Sequence, residues 1–259
     1  MSVLEADAPL LAQETSPAHA PLKVATASAV LRDLFLVTWT APLEKLQALV
    51  PPGTTLERLP NSDGQLVGFV QVVFALRENA RWSPLPSQFG EDYQEATLQV
   101  LTRTENERSA AVIKHFVAST AIATSLLPFS RVAEEGRFNV YVAGDPARQT
   151  FERLGVKATT HAIQLHLRAE RMETPEATMI GPWHESVTFL TRLERQYHPT
   201  RLSKDGLSLF RTQHPPLSPC TAKLTHQIVR PFDDLELGEP LLVLYQAELP
   251  VTNLPIKRK

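Results

Sequence analysis

The stretch FGEDYQEATLQVLTRTENERSAAVIKHFVASTAIATSLLPFSRV, residues 89–132, decides how this chain is read. Period-two geometry in its first part puts Glu95, Thr97, Gln99 and Leu101 on one face of a strand, and Ala96, Leu98 and Val100 on the other. The charged turn TRTENERS reverses the chain into AAVIKHFVAS, a second strand in which Lys114 and His115 point to opposite sides. Ser119 or Thr120 then caps a short helix that Pro128 limits. A carboxylate on the more polar face of a strand makes Glu95 the candidate chemical centre.

Working outward toward the N-terminus, the loop from Arg81 to Gly90 carries Trp82, Pro84 and Pro86, which cannot join a ladder. Before it, QLVGFVQVVFAL (65–76) is apolar on both alternating faces and predicts a central strand covered on both sides, entered through a turn at Asn61–Gly64. LFLVTW (34–39) reads as a strand. Leu43, Leu46, Leu49 and Val50 follow at helical spacing until Pro51 and Pro52 stop the helix.

On the C-terminal side, RFNVYVAG (137–144) predicts a strand. Asp145 as N-cap, Pro146 at the first helical position and Gly155 at the end predict a helix. KATTHAIQLHLRAE (157–170) alternates as one strand. Trp183, Val187, Leu190, Leu193 and Tyr197 predict a helix over 183–197. GLSLFRTQ, TAKLTHQIV and PLLVLYQAELPV read as three further strands. About eight or nine strands against three or four short helices give an α+β class, a largely antiparallel sheet with helices on one side.

The 259 residues suffice for one continuous core, so a single domain is expected over 23–259 behind a disordered leader at 1–22. Lys plus Arg number 26 and Asp plus Glu 28, which leaves no global field to hold nucleic acid or an anionic membrane. Cys220 is the only cysteine, which excludes a disulfide framework and a multi-thiolate zinc site. With no signal-like N-terminus and no span-length apolar run, a soluble cytoplasmic protein is expected. A homo-oligomer is compatible with this reading.

Glu95 on a pocket-lining strand has the chemistry of a general base if burial raises its pKa toward neutrality; the plain alternative is a hydrogen-bonded or rim carboxylate. Lys114, between Val112 and Phe116 on an apolar stretch, offers an amine with a lowered pKa, against the plainer reading of a sheet-edge lysine. Arg81, Trp82, Phe89, Tyr93 and Phe129, with Ser130 adjacent, are candidates for an aromatic, partly cationic ligand-binding mouth, or for ordinary packing. His161, His166, His184, His214 and His226 match no ligand spacing, so no metal is expected. No phosphate loop, nucleophile elbow or thiol pair appears, and no cofactor is expected.

WTAPLEKLQALVPPG, DYQEATLQV, AIATSLLPF, FLTRLERQYHP, the His214–Pro216 HPP and LLVLYQAELPV together resemble the uncharacterised YqjF-like family, distantly related to acetoacetate decarboxylase. The resemblance implies a curved, mostly antiparallel sheet forming a cone or partial barrel around an interior pocket. It also implies a site in which a lysine amine forms a Schiff base, tuned by a neighbouring lysine and accompanied by a glutamate. Tyr93-Gln94-Glu95 matches the family's Tyr-x-Glu, so Glu95 is the carried-over glutamate. The lysine pair is replaced: Pro-Lys-Lys reads Pro128-Phe129-Ser130, and the preceding Gly-Arg-Glu reads Ala123-Thr124-Ser125. The reading that follows is a small-organic-ligand-binding protein without Schiff-base chemistry. The alternatives are a lyase, hydratase or cyclase using Glu95 as acid or base on a small carbonyl compound, and a non-catalytic scaffold with a filled cavity.

Overall fold

The computed structural model describes residues 27–258, except 52–53, 83–90, 105–106, 146–149, 162, 192–193, 201–205 and 231. The expected leader at 1–22 lies outside the described residues, as does Phe89. In chain order the elements are β1 (Ala27–Pro42), α1 (Leu43–Gln47), β2 (Thr55–Leu56), β3 (Arg58–Pro60), β4 (Leu66–Trp82), β5 (Glu91–Thr104) and β6 (Glu107–Val117). They continue with α2 (Thr120–Leu126), β7 (Ala133–Glu135), β8 (Arg137–Asp145), β9 (Thr150–Thr159), β10 (Gln164–Arg171), β11 (Ala177–Thr178) and β12 (Gly181–Pro182). The last are α3 (Trp183–Leu190), β13 (Arg195–Pro199), β14 (Leu207–Gln213), β15 (Cys220–Val229), a 3-10 turn (Asp233–Leu235) and β16 (Leu242–Arg258).

Strands β1, β4, β5, β6, β13, β14 and β16 are neighbours in that order, and β16 pairs back onto β1, so the sheet closes into a ring. The sheet continues from β16 through β15, β10 and β9 to β8. Pairing is antiparallel except for β6 with β13 and β6 with β7. The fold class is therefore as expected: a curved, mostly antiparallel sheet with a few short helices.

Two apolar clusters explain why β4 carries apolar side chains on both faces. Val70, Val72 and Phe74 enter one cluster with Phe35, Trp39, Phe151, Leu154 and Leu165, where the β8–β9–β10–β15 layer covers the outside of the ring. Phe69 and Ala75 enter the other with Leu34, Leu36, Ile122, Leu126 and Leu190, inside the ring and against α2 and α3. Trp39, Phe35, Phe69 and Phe74 are essentially inaccessible to solvent. Burying each such side chain contributes about 1.5–3 kcal/mol before entropy is counted. The Trp39 indole N–H donates to Gln227 Oε1 at 3.0 Å, so the bridge between barrel and outer layer leaves no orphan donor there.

Helix α1 lies directly over Gly68. A Cβ at Gly68 would sit 2.6 Å from Leu46 Cδ1 and 3.2 Å from Leu43 Cδ2, which is why a residue without a side chain stands in this strand. Ser119 caps α2 as expected, its hydroxyl accepting from the Ile122 N–H at 3.3 Å. The turn at Asn61–Gly64 forms around Asn61 Oδ1, which accepts from the Asp63 and Gln65 N–H groups, with Gly64 at φ 77°.

Four local expectations are corrected. Asp145–Gly155 is not a helix: β8 runs to Asp145 and β9 starts at Thr150, with residues 146–149 outside the described set. A register shift at Ala143/Gly144 opposite Phe151–Arg153 inserts one residue in β9, and Gly155, expected to end a helix, pairs with Tyr141 within the strand. The helix expected over 183–197 ends at Leu190, and Arg195–Pro199 is a strand between β6 and β14. Residues 157–170 form two strands, β9 and β10, and not one. β4 extends to Trp82, so the backbone of Arg81 and Trp82 belongs to a strand paired with β1, while 83–90 lie outside the described residues.

Candidate functional site

The inward positions of β4 run Phe69, Gln71, Val73, Ala75, Arg77, and those of β5 run Leu101, Gln99, Thr97, Glu95, Tyr93, because the register pairs Gln71 with Gln99 and Arg77 with Tyr93. Polar side chains on this interior face form two groups. Midway along the barrel, Gln71 Nε2 donates to Thr38 Oγ1 and to the Leu190 carbonyl, each at 2.9 Å. Gln99 Nε2 donates to Gln71 Oε1 at 3.0 Å, and Gln196 Nε2 to Gln99 Oε1 at 2.9 Å. This belt ties four strands to the C-terminal end of α3, whose Phe189 packs edge-on against Phe69 with centroids 5.6 Å apart.

The second group is ionisable. Glu95 and Arg77 are diagonal neighbours across β4 and β5, and Arg77 Nε donates to Glu95 Oε1 at 2.6 Å. His115, opposite Thr97 on β6, lies 3.2 Å through Nε2 from Glu95 Oε2. The carboxylate thus has a guanidinium on one oxygen and an imidazole on the other, with its side chain 12 % exposed. From β13, His198 comes within 5.7 Å of the His115 ring, and its Nδ1 is 2.9 Å from Ser130 Oγ. Phe210 packs against His198 with ring centroids 4.1 Å apart.

Ser130 arrives through the turn after α2. The Ser130 N–H donates to the Leu126 carbonyl, the Arg131 N–H to the Pro199 carbonyl at 2.7 Å, and Thr200 Oγ1 to the Pro128 carbonyl at 2.9 Å. Residues 128–131 are thereby fastened to the end of β13. The turn therefore brings the Ser130 hydroxyl beside the Glu95 cluster, through His198.

Burial alone would push the Glu95 carboxyl up, but the Arg77 charge, the His115 hydrogen bond and charge, and the Arg77 hydrogen bond outweigh it and hold the pKa down to about 2. The expectation of a carboxyl raised toward neutrality is corrected: Glu95 is a fixed anion. For His198, burial followed by the His115 charge lowers the pKa well below the ordinary range, against a smaller opposing effect of Glu95. The imidazole is neutral at pH 7. Burial raises the Tyr93 hydroxyl pKa, with Arg77 opposing and Glu95 and Glu91 adding to the rise, so Tyr93 stays a neutral phenol.

Three polar atoms at this cluster are buried with no partner among the described residues: His115 Nδ1, His198 Nε2 and the Ser208 hydroxyl. Ser208 is the direct cross-strand partner of His198 and therefore shares its face. Each such orphan costs about 1–3 kcal/mol in a dry interior.

Of the residues singled out from sequence, the structure brings Glu95, Tyr93 and Ser130 together. Phe129 is half-buried on the turn beside Ser130. Lys114 is not brought to Glu95. It pairs with Leu98 on the opposite face of the sheet and makes an ion pair with Glu134 at 3.6 Å. Arg81 and Trp82 contribute described backbone only. Arg77, His115, His198 and Ser208 are the members that sequence reasoning passed over. Arg77 carried a signal, since it continues the inward parity of Gln71, Val73 and Ala75 into a charge. Elsewhere, His166 and His226 meet edge-on across β10 and β15 with centroids 4.4 Å apart. No group of three or more His, Cys, Asp or Glu that could hold a metal occurs among the described residues.

Compared with solved structures, the chain is similar along most of its length to an acetoacetate decarboxylase from Legionella pneumophila subsp. pneumophila str. Philadelphia 1. The TM-score is 0.62 at 14 % identity, covering 95 % of this chain and 92 % of that one. An acetoacetate decarboxylase-like enzyme from Sphingomonas wittichii RW1 matches with TM-score 0.60 at 12 % identity over 91 % and 94 %. The enduracididine biosynthesis enzyme MppR complexed with pyruvate matches with TM-score 0.56 at 14 % identity over 95 % and 93 %. No family model matches the chain, and no curated protein does. At these identities the likeness establishes the fold, which is that of acetoacetate decarboxylase.

Proposed function

We propose that this chain binds a small organic ligand inside the barrel, at the Arg77–Glu95–His115–His198 cluster, and does so without a Schiff-base lysine. The observation that supports the reading is that His115 Nδ1, His198 Nε2 and Ser208 Oγ, on the neighbouring strands β6, β13 and β14, are buried and without a partner among the described residues, near the Arg77–Glu95 ion pair. Clustered orphan polar atoms are costly to a structure and are accounted for by a ligand or by water that a ligand displaces. The MppR complexes, one with pyruvate and one with a condensation product of pyruvate, give small carbonyl acids as the first class to try. By the resemblance to acetoacetate decarboxylase, Phe129 and Ser130 of this chain stand where the lysine pair would be, which supports a reading in which the amine has been lost.

The test is titration calorimetry with pyruvate and acetoacetate, beside borohydride trapping read by intact mass. Binding without a covalent adduct, lost in His198→Ala, is expected. An adduct on any lysine overturns the Schiff-base part. Failure of both acids to bind, or unchanged binding in His198→Ala, overturns the site.

The two unpartnered ring nitrogens also favour a second reading, an acid–base enzyme of the lyase, hydratase or cyclase kind. In it His198 and His115 carry the proton, and Glu95 orients His115 without itself being the base. Given a turnover assay, His198→Gln is then expected to lower kcat by about a hundredfold or more. A pH–rate profile unaltered by that substitution would refute it.

A further inference from the structure

A cleft of about 940 Å3 runs between the start of β1, the far half of β16 and the β13–β14 pair. That volume falls in the range of small-molecule sites. Its charged lining comes from Arg195 and Arg211, which are direct cross-strand partners on β13 and β14. Like charges placed directly opposite one another destabilise a sheet, so the arrangement calls for a compensating anion. Glu107 supplies one, through Nη1 of Arg195. Arg211 has no carboxylate partner among the described residues, and the Nε atoms of both arginines are buried and unpartnered there. His214 also lines the cleft, and its Nδ1 donates to the Pro215 carbonyl at 2.7 Å, so its ring adds no second donor toward an anion. Glu194 is the one acid among the lining residues, and it is exposed.

We infer that this cleft is an anion site for the carboxylate of a small organic acid, with Arg211 as the anchor and Arg195 as the second donor. A guanidinium offers paired N–H donors in a plane that matches a carboxylate, and a half-buried position strengthens the pairing over one in open water. Ala29 and Val251 supply apolar wall for the carbon skeleton. The site is separate from the Glu95 cluster. None of the residues that line the cleft belongs to the Glu95 cluster, and Arg195 reaches Glu107 while His198 reaches Ser130.

The experiment is calorimetric titration of the full chain with succinate, inorganic phosphate and chloride at matched ionic strength. It is repeated on Arg211→Gln, Arg211→Lys and Glu95→Gln, each checked for wild-type far-ultraviolet circular dichroism. Saturable succinate binding is expected, weakened about tenfold or more by Arg211→Gln, less by Arg211→Lys, and unchanged by Glu95→Gln. Phosphate binding as tightly as succinate overturns the carboxylate assignment. Equal binding of chloride overturns a built site, and so does retention of affinity in a folded Arg211→Gln. Absence of succinate binding to the wild-type chain overturns the inference outright. Loss in Glu95→Gln with retention in Arg211→Gln would move the ligand to the barrel interior and leave the proposed function standing.

Discussion

Replacing Arg77 by Met is expected to invert the pH dependence of this protein's stability. In the wild-type chain the Glu95 carboxyl falls from an ordinary 4.5 to about 2, which corresponds to roughly 3 kcal/mol of folded-state stabilisation. The group's folded pKa is depressed, so that stabilisation is fully present above the ordinary value and is lost as pH falls toward 2. Without Arg77 the carboxyl keeps its burial and only the His115 contact, so desolvation dominates and the folded pKa rises above the ordinary value. The native state then holds a proton that the unfolded chain releases, and stability falls as pH rises through that value. At pH 7 the cost of leaving the carboxylate without its guanidinium is about 3–5 kcal/mol.

Urea denaturation followed by tryptophan fluorescence, from about pH 3 to pH 8, reads both effects. Subtracting the Glu95→Gln curve from the wild-type curve isolates Glu95 from the other carboxylates. Arg77→Met should be the least stable variant at pH 7, and Arg77→Met/Glu95→Gln should recover most of the loss, because the buried charge is gone. An Arg77→Met protein within about 1 kcal/mol of wild type at pH 7, with the wild-type slope, would refute the reasoning.

His198 gives an independent pH signature. Its folded pKa lies well below its ordinary 6.5, so folding excludes a proton that the unfolded chain takes up, and stability present above 6.5 is lost as pH falls below it. Denaturation at about pH 7.5 and 5.5 should show that loss in wild type and a smaller one in His198→Gln. Gln99→Leu removes the link between Gln71 and Gln196, and leaving those amide groups unpaired in the barrel should cost about 2–4 kcal/mol, read as a lowered Tm. Gly68→Ala places a methyl 2.6 Å from Leu46 Cδ1, and moving the end of that leucine should cost about 1–3 kcal/mol by urea denaturation.

The hairpin of β5 and β6 was legible because alternation, a charged turn and a capped helix all agreed over one short stretch. β4 was legible for a different reason: only a strand covered on both sides is apolar at both parities, and here the outer layer and the barrel interior supply the two covers. β9 misled because Asp145, Pro146 and Gly155 have the order of helix caps, whereas Gly155 sits mid-strand opposite Tyr141, whose ring leaves no room there for a side chain. β13 misled because Leu193 and Tyr197 continue the spacing of α3 after the chain has left it at Thr191, whose hydroxyl turns back to the Val187 carbonyl at 2.6 Å. Losing β13 to a helix also lost His198. Its neighbours reach Ala110 and Ala111 through a parallel pairing, which no local pattern encodes. Glu95 was visible as a carboxylate on a polar face, but its sign of titration was not, because Arg77 reaches it only through the β4–β5 register.

A closed ring changes what period-two alternation means for chemistry. In an open sheet, Gln71, Glu95, Gln99, His115, Gln196 and His198 would form a polar face turned to water. Here closure of β16 onto β1 turns them toward one another and toward α3, so each must find a partner within the barrel or keep an unmet hydrogen bond. Toward α3 the glutamine belt links its members in a chain. Toward the Pro128–Arg131 turn the chain breaks, and His115 Nδ1, His198 Nε2 and Ser208 Oγ are left over. Within the barrel these three atoms lie near Ser130, whose hydroxyl meets His198 Nδ1. A shared fold can keep a site in one place while its chemistry changes, because the barrel fixes which side chains converge and the turn decides which group they meet. In this chain the group is a hydroxyl on a neutral imidazole, next to a carboxylate already neutralised by arginine. Among the described residues, the groups that meet there are a guanidinium, a carboxylate, two imidazoles and a hydroxyl.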